Sequence, residues 1–244
     1  MNTTEVDFPL GRALRVLEHR ARLTDFATWE QARVELVLNR IYESERWPPE
    51  VVFDIGAEEG EYGALYAREG ASVHLFEPTP SVWPNVRAVF EANDVRHDGA
   101  FCGFVGDFTR NFDGGFSSKF WPSSAHGPIQ PDGRFSVLVE RPDFPCVTID
   151  DYVERTGAIP TMLLIDVEGA EVAVLRGALN TLKAHRPRVI VSIHPPTFLR
   201  RMTPQKEEHE ADQQEHVFRL LDACGYLPHF LAHDHEAHWA FDPT

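Results

Sequence analysis

From position 51 onward, short apolar runs alternate with stretches whose apolar residues recur at helical spacing. Val51-Val52-Phe53 is followed by a turn punctuated by Gly56, Gly60 and Gly63, and residues 62–68 predict a helix. The run at 73–76 ends at Glu77-Pro78, and 82–93 predicts a second helix. A third strand falls within 99–105. Further on, 148–155 reads as a short helix and 162–165 as a strand. Residues 171–184 read as a helix with Val172, Val174, Leu175 and Leu179 to bury, and 188–193 as another strand. A polar helix over 213–224 stops at Gly225, and 226–231 with 237–241 predicts a C-terminal hairpin. Strands alternating with helices imply parallel pairing by right-handed crossovers, an α/β, doubly wound, mostly parallel sheet.

Two segments stand apart from this rhythm. Residues 10–46 read as helix, because Leu14, Val16, Leu17, Trp29, Ala32, Val34, Leu36, Val37, Leu38 and Ile41 recur among many Arg and Glu until Trp47-Pro48-Pro49 stops the pattern. The expected organisation is therefore an N-terminal helical extension, 1–48, ahead of one domain, 49–244. Residues 106–145 are rich in Gly, Ser, Pro and Phe, with one strand-like run at 135–140. A loop of that length inside a compact domain is usually functional, so an acceptor lid is weighed against a packed surface loop.

Composition narrows the partners. Lys+Arg 23 against Asp+Glu 38 leaves a net charge of −15, which repels phosphate backbones and anionic lipid, so neither nucleic acid nor membrane is expected as partner. Three widely spaced cysteines, Cys102, Cys146 and Cys224, form no disulfide framework or metal knuckle. The N-terminus lacks the basic and apolar regions of a signal peptide, and no apolar stretch reaches the roughly 20 residues of a membrane span. A cytoplasmic protein is expected, with a homodimer as the default assembly.

The glycine turn carries the first candidate chemistry. Glycines between a strand and a helix let backbone approach a ligand at a helix N-terminus. Glu77 ends the next strand, where a carboxylate can accept bonds from two ribose hydroxyls. The spacing is Asp-x-Gly-x-x-x-Gly, and Asp54, Glu58, Glu59 and Glu61 would oppose a pyrophosphate. A nucleoside carrying a sulfonium and an amine, S-adenosylmethionine, suits such a loop better. Asp54, Gly56, Glu58, Gly60 and Glu77 are the candidate cofactor residues, against a plain tight turn with a solvated Glu.

These residues, together with Leu75-Phe76-Glu77-Pro78, Thr148-Ile149-Asp150-Asp151-Tyr152 and Leu164-Ile165-Asp166-Val167-Glu168-Gly169-Ala170-Glu171, resemble the class I S-adenosylmethionine-dependent methyltransferases, and more narrowly the FkbM family. The resemblance covers about 50–195. It implies a Rossmann-like seven-stranded sheet and methyl transfer to an oxygen, commonly of a sugar or natural product. Asp54 and Gly56 would then lie beside the methionine part and Glu77 would hold the ribose. The adenine contact would come from the segment after the third strand, where Gly106 and Asp107 are chosen.

The stretch Leu163-Leu164-Ile165-Asp166-Val167-Glu168-Gly169 puts two carboxylates at the end of the fourth strand, and His194 ends the fifth. Neighbouring strands lie about 4.8 Å apart, so Asp166 and His194 can reach a common point. A weakly nucleophilic hydroxyl needs a base or a divalent cation to lose its proton. Related O-methyltransferases place metal-binding carboxylates at these strand ends; the FkbM family often has Glu where this chain has His194. The expected centre is Mg2+ or Mn2+ held by Asp166 and His194, with Glu168 as proton acceptor or third ligand; imidazole suits Mn2+ better. A metal-free site with His194 as base, and a purely structural strand end, are the alternatives. His126, Trp121 and Arg200 are the candidate acceptor contacts, weighed against surface roles. His229, His233, His235 and His238 read as a solvated turn rather than a metal site.

The leading function is an O-methyltransferase acting on a saccharide or glycosylated metabolite. The other readings are methyl transfer to a non-sugar hydroxyl, a non-catalytic cofactor-binding module, and a nicotinamide oxidoreductase.

Overall fold

The computed structural model describes residues 1–8, 12–22, 50–112, 121–122, 144–194, 213–233 and 236–244. Its centre is a seven-stranded sheet. Five strands run parallel: β3 (Val51–Ile55), β4 (Ser72–Phe76), β5 (Gly99–Phe101), β8 (Met162–Ile165) and β9 (Arg188–Ile193). The C-terminal hairpin, β10 (Tyr226–His233) and β11 (Ala237–Pro243), completes one edge, with β11 antiparallel to β9. The order across the sheet is β10-β11-β9-β8-β3-β4-β5. Val52, Phe53, Leu163, Val189 and Val191 are fully buried, because helices cover both faces and leave no solvated side to alternate with.

On one face lie α2 (Glu61–Arg68) and α3 (Trp83–Ala92); on the other, α4 (Ile149–Thr156), α5 (Glu171–Arg176), α6 (Leu179–His185) and α7 (Gln213–Ala223). The helix predicted over 171–184 is two helices. Gly177 presses against the Gly106 carbonyl, which a Cβ would strike. Asp150 then caps α6, accepting from the N–H groups of Asn180 (3.0 Å) and Thr181 (2.8 Å).

The N-terminus departs from expectation. Two strands, β1 (Thr3–Phe8) and β2 (Arg12–Leu17), pair antiparallel as a hairpin and are followed by the single turn α1 (Glu18–Ala21). Leu14 and Val16 are buried with the α3 residues Val86 and Val89 in one core. Asn93 at the end of α3 binds Arg15 through both its amide oxygen, which accepts the N–H at 2.8 Å, and its amide nitrogen, which donates to the carbonyl at 2.7 Å. The rest of the predicted 10–46 helix lies outside the described residues, as does the run 135–140. The third strand, β5, lies within the expected 99–105 window, and past it β6 (Phe104–Val105) leaves the main sheet and pairs with β7 (Cys146–Val147).

Candidate active site

Parallel pairing brings the C-terminal ends of β3, β4, β8 and β9 to one edge of the sheet. Gly56, just past β3, has φ +87° and donates to the Phe76 carbonyl at 2.9 Å. A Cβ there would strike the carbonyl oxygen of Asp166, and Asp166 in turn donates its N–H to Ile55 at 2.9 Å. The glycine turn and the Asp166 strand end are thus in backbone contact. Gly63 leaves room for the buried Asp54 carboxylate, 3.1 Å from where its Cβ would stand.

Glu77 is buried at the end of β4 and its carboxylate accepts two backbone N–H groups, from Thr79 at 2.7 Å and Glu58 at 3.1 Å. Burial pushes its pKa up to about 7, although those hydrogen bonds pull the other way.

The acid of the loop has a different role from the one its sequence suggests. The Glu58 carboxylate turns outward to a bidentate pair with Arg20 (2.9 and 2.8 Å), which also reaches Glu61 at 3.1 Å. Glu59 is 2.8 Å from His19 Nε2 and 3.0 Å from the Asn85 amide nitrogen. These three carboxylates are engaged by the N-terminal segment and α3. The loop's charge toward a ligand is smaller than a count of its acids implies, and Glu58 contributes through its backbone. Gly60 has φ +82° and its Cα packs against Val86 and Phe90, a turn-and-packing position.

A second cluster surrounds His194. Glu171, fully buried at the start of α5, accepts the Gly169 N–H at 2.9 Å and lies 2.8 Å from His194 Nδ1. The β9–β11 register pairs Ile193 with Ala237, so Glu236 comes beside His194, with Oε2 2.7 Å from Nε2. Asp166 Oδ1 and Glu168 Oε2 each stand 3.9 Å from the same nitrogen. Burial alone would lower the His194 pKa; the carboxylates Glu171 and Glu236 outweigh it and raise it to about 11. Glu168 is the more exposed member and its pKa is pushed up to about 7, chiefly by burial, with Asp166, Glu236 and Glu58 adding to the effect and His194 opposing it.

Asp166, His194 and Glu236 each offer a ligand atom within 4.8 Å of the others. The donor set fits a divalent cation. Glu171 fixes Nδ1 so that Nε2 faces the two carboxylates, the carboxylate–histidine–metal arrangement. The other Glu171 oxygen, Oε2, is buried with no hydrogen-bond partner among the described residues.

Of the expected site residues, Asp166, Glu168 and His194 converge. Glu236 was missed, and the expectation of a solvated C-terminal turn is overturned for it and for His238. Both are buried, and His238 Nδ1 is 2.9 Å from Ser192 Oγ with Nε2 3.7 Å from Glu236 Oε1. The signal was the two-residue spacing of Glu236, just ahead of β11, and His238 within it, read against the position of β9. His229 pairs with Asp242 at 3.3 Å, His233 is exposed, and His235 lies outside the described residues.

Trp121 packs edge-on against His97 (4.3 Å) and Phe90 (5.6 Å), joining the core beside α3. His126 and Arg200 lie outside the described residues. Gly106 donates to Val147 at 3.1 Å and is covered by Gly177, while Asp107 is exposed. The backbone that follows the strand end beside Glu77 is Cys102-Gly103, since Glu77 donates its N–H to Phe101 at 3.1 Å.

A glycine turn with a strand-end acid, on a seven-stranded sheet closed by an antiparallel hairpin, defines an S-adenosylmethionine-dependent methyltransferase domain. The chain belongs to the methyltransferase FkbM domain family, whose model matches residues 54–228. Among solved structures it is similar to Methyltransferase FkbM from Methylobacillus flagellatus KT, at TM-score 0.50 and 17% identity over 79% of this chain and 43% of that one. It is also similar to the Thermus thermophilus 16S rRNA N2 G1207 methyltransferase in complex with AdoMet and guanosine, at TM-score 0.51 and 11% identity over 100% of this chain and 50% of that one. The chain spans half or less of the length of these two relatives, and the likeness is one of fold. A search of curated proteins gives no significant match. Among the described residues no helix is long and apolar enough to cross a membrane.

Proposed function

We propose that the protein transfers the methyl group of S-adenosylmethionine to a hydroxyl of a saccharide or glycosylated metabolite, at a site prepared for a divalent cation. The observation that carries this is the backbone contact of Gly56 with Asp166, by which the glycine turn lies directly beside the Asp166–His194–Glu236 cluster.

Glu77 would accept the ribose hydroxyls, and the Gly56 turn would let backbone approach the methionine part. In the reaction the acceptor oxygen attacks the methyl carbon in line, the carbon–sulfur bond breaks, and S-adenosylhomocysteine leaves with the bond electrons on sulfur. The hydroxyl proton must go to a base. Glu168 is positioned for this, since it stands at the rim of the cluster while His194 Nδ1 is committed to Glu171. Asp166, His194 Nε2 and Glu236 would hold the cation, with Mn2+ or Mg2+ as candidates. When bound, such an ion acidifies a coordinated hydroxyl and offsets the charge of the carboxylates. An acid-lined site on a chain of net charge −15 favours a neutral polyhydroxyl acceptor over a phosphorylated one.

The test is calorimetry with S-adenosylhomocysteine, followed by turnover with methyl donor and a panel of sugars and glycosides, before and after chelation. Asp166→Ala should keep S-adenosylhomocysteine binding and lose turnover. Equal turnover in the variant would sink the assignment; binding of NADH alone would replace the cofactor.

A further inference from the structure

His19 and Arg20 precede the matched family region, 54–228, yet they reach its glycine turn. The Arg20 side chain, only 13% exposed, brings three loop carboxylates together: Glu58 through two parallel bonds, Glu61 through Nε at 3.1 Å, and Glu59 at 3.9 Å. Two-pronged pairing of this kind fixes direction as well as distance. His19 adds a contact to Glu59 at 2.8 Å.

The residue gripped most firmly is the one with an unusual backbone. Glu58 has φ +46°, a left-handed conformation that a residue with a side chain adopts reluctantly. In that conformation its N–H donates to Glu77 Oε2 at 3.1 Å. A continuous chain therefore runs from the Arg20 guanidinium through the Glu58 side chain and backbone to the acid at the end of β4. The hairpin beneath is anchored separately, by Leu14 and Val16 in the core and by Arg15 with Asn93.

We infer that Arg20 is a positioning residue for the cofactor: it holds Glu58 in the conformation that orients Glu77, making the N-terminal hairpin part of the S-adenosylmethionine site. The inference rests on the reading of Glu77 as the ribose acceptor. Arg20 acts through Glu58 rather than by touching substrate. Its removal frees the acidic loop to relax and lets Glu77 lose its fixed orientation.

The experiment is calorimetric titration of S-adenosylhomocysteine into the full chain, wild type and variants, with melting curves in parallel. Arg20→Ala should weaken binding by about fivefold, the scale of losing a two-pronged ion pair whose Glu58 partner is largely exposed, and raise KM for the methyl donor more than it lowers kcat. The swap Arg20→Glu with Glu58→Arg should restore affinity relative to Arg20→Glu alone, which a general folding defect would not allow. Binding by Arg20→Ala within twofold of wild type, or a swap no better than the single charge reversal, overturns the inference while leaving the cofactor reading intact. A wild-type chain that fails to bind S-adenosylhomocysteine overturns both.

Discussion

The α-carbon of Gly56 faces the carbonyl oxygen of Asp166 so closely that no side chain fits between the turn after β3 and the end of β8. Gly56→Ala meets a steric clash and an unfavourable φ of +87° together. The expected result is a stability loss of about 1–3 kcal/mol by denaturant unfolding, with S-adenosylhomocysteine binding lost. An alanine variant that binds as wild type would mean that the turn is more plastic than its packing implies.

Glu236 should matter to a cation and not to the nucleoside. Glu236→Gln is expected to weaken Mn2+ binding by about tenfold or more, measured by titration with an electron-spin-resonance readout, and to leave S-adenosylhomocysteine affinity unchanged. His238→Ala should produce a smaller loss of the same kind, because it meets Glu236 at 3.7 Å and Ser192 at 2.9 Å rather than the cation position. Unaltered Mn2+ affinity in Glu236→Gln would remove Glu236 from the ligand set.

Cofactor affinity should depend on pH through Glu77. Burial raises its pKa to about 7, so below that pH the free protein carries a neutral acid there. Ribose hydroxyls donate to the charged form. The dissociation constant for S-adenosylhomocysteine should therefore fall as pH rises from about 6 to 8, and the trend should flatten in Glu77→Gln. The same shift makes a stability contribution that is present below the ordinary glutamate pKa and lost as pH rises through about 7.

His74 gives the opposite slope. Desolvation lowers its pKa to about 4, outweighing the attraction of Asp98, and its Nδ1 meets Tyr152 Oη at 2.7 Å, with Gly99 leaving space for both. A depressed histidine binds its proton more readily unfolded than folded. Its contribution to stability is complete above pH 6.5 and is lost as pH falls from 6.5 to about 4. Melting temperatures measured over that window should decline less steeply in His74→Asn than in wild type. Tyr152→Phe should cost about 1–3 kcal/mol by leaving a buried nitrogen without its partner.

The sequence by itself determined what is local or regular in this protein. The apolar runs of β3, β8 and β9 declared buried parallel strands, since helices on both faces favour unbroken hydrophobic segments. Gly56, Glu77, Asp166 and His194 were legible because a parallel sheet sends every strand end to the same edge. Tertiary structure alone decided what comes from elsewhere. Glu236 stands 42 residues beyond His194 and reaches it only through the antiparallel β9–β11 register. Leu14 and Val16 alternate as a strand does, but helical spacing fits a longer window equally well, and packing against α3 chose the hairpin. Likewise the loop's acidity, read as a field for a cation, turned out to be engaged by Arg20 and His19. A charge declares its sign in the sequence; its partner is set by which surfaces the fold presses together.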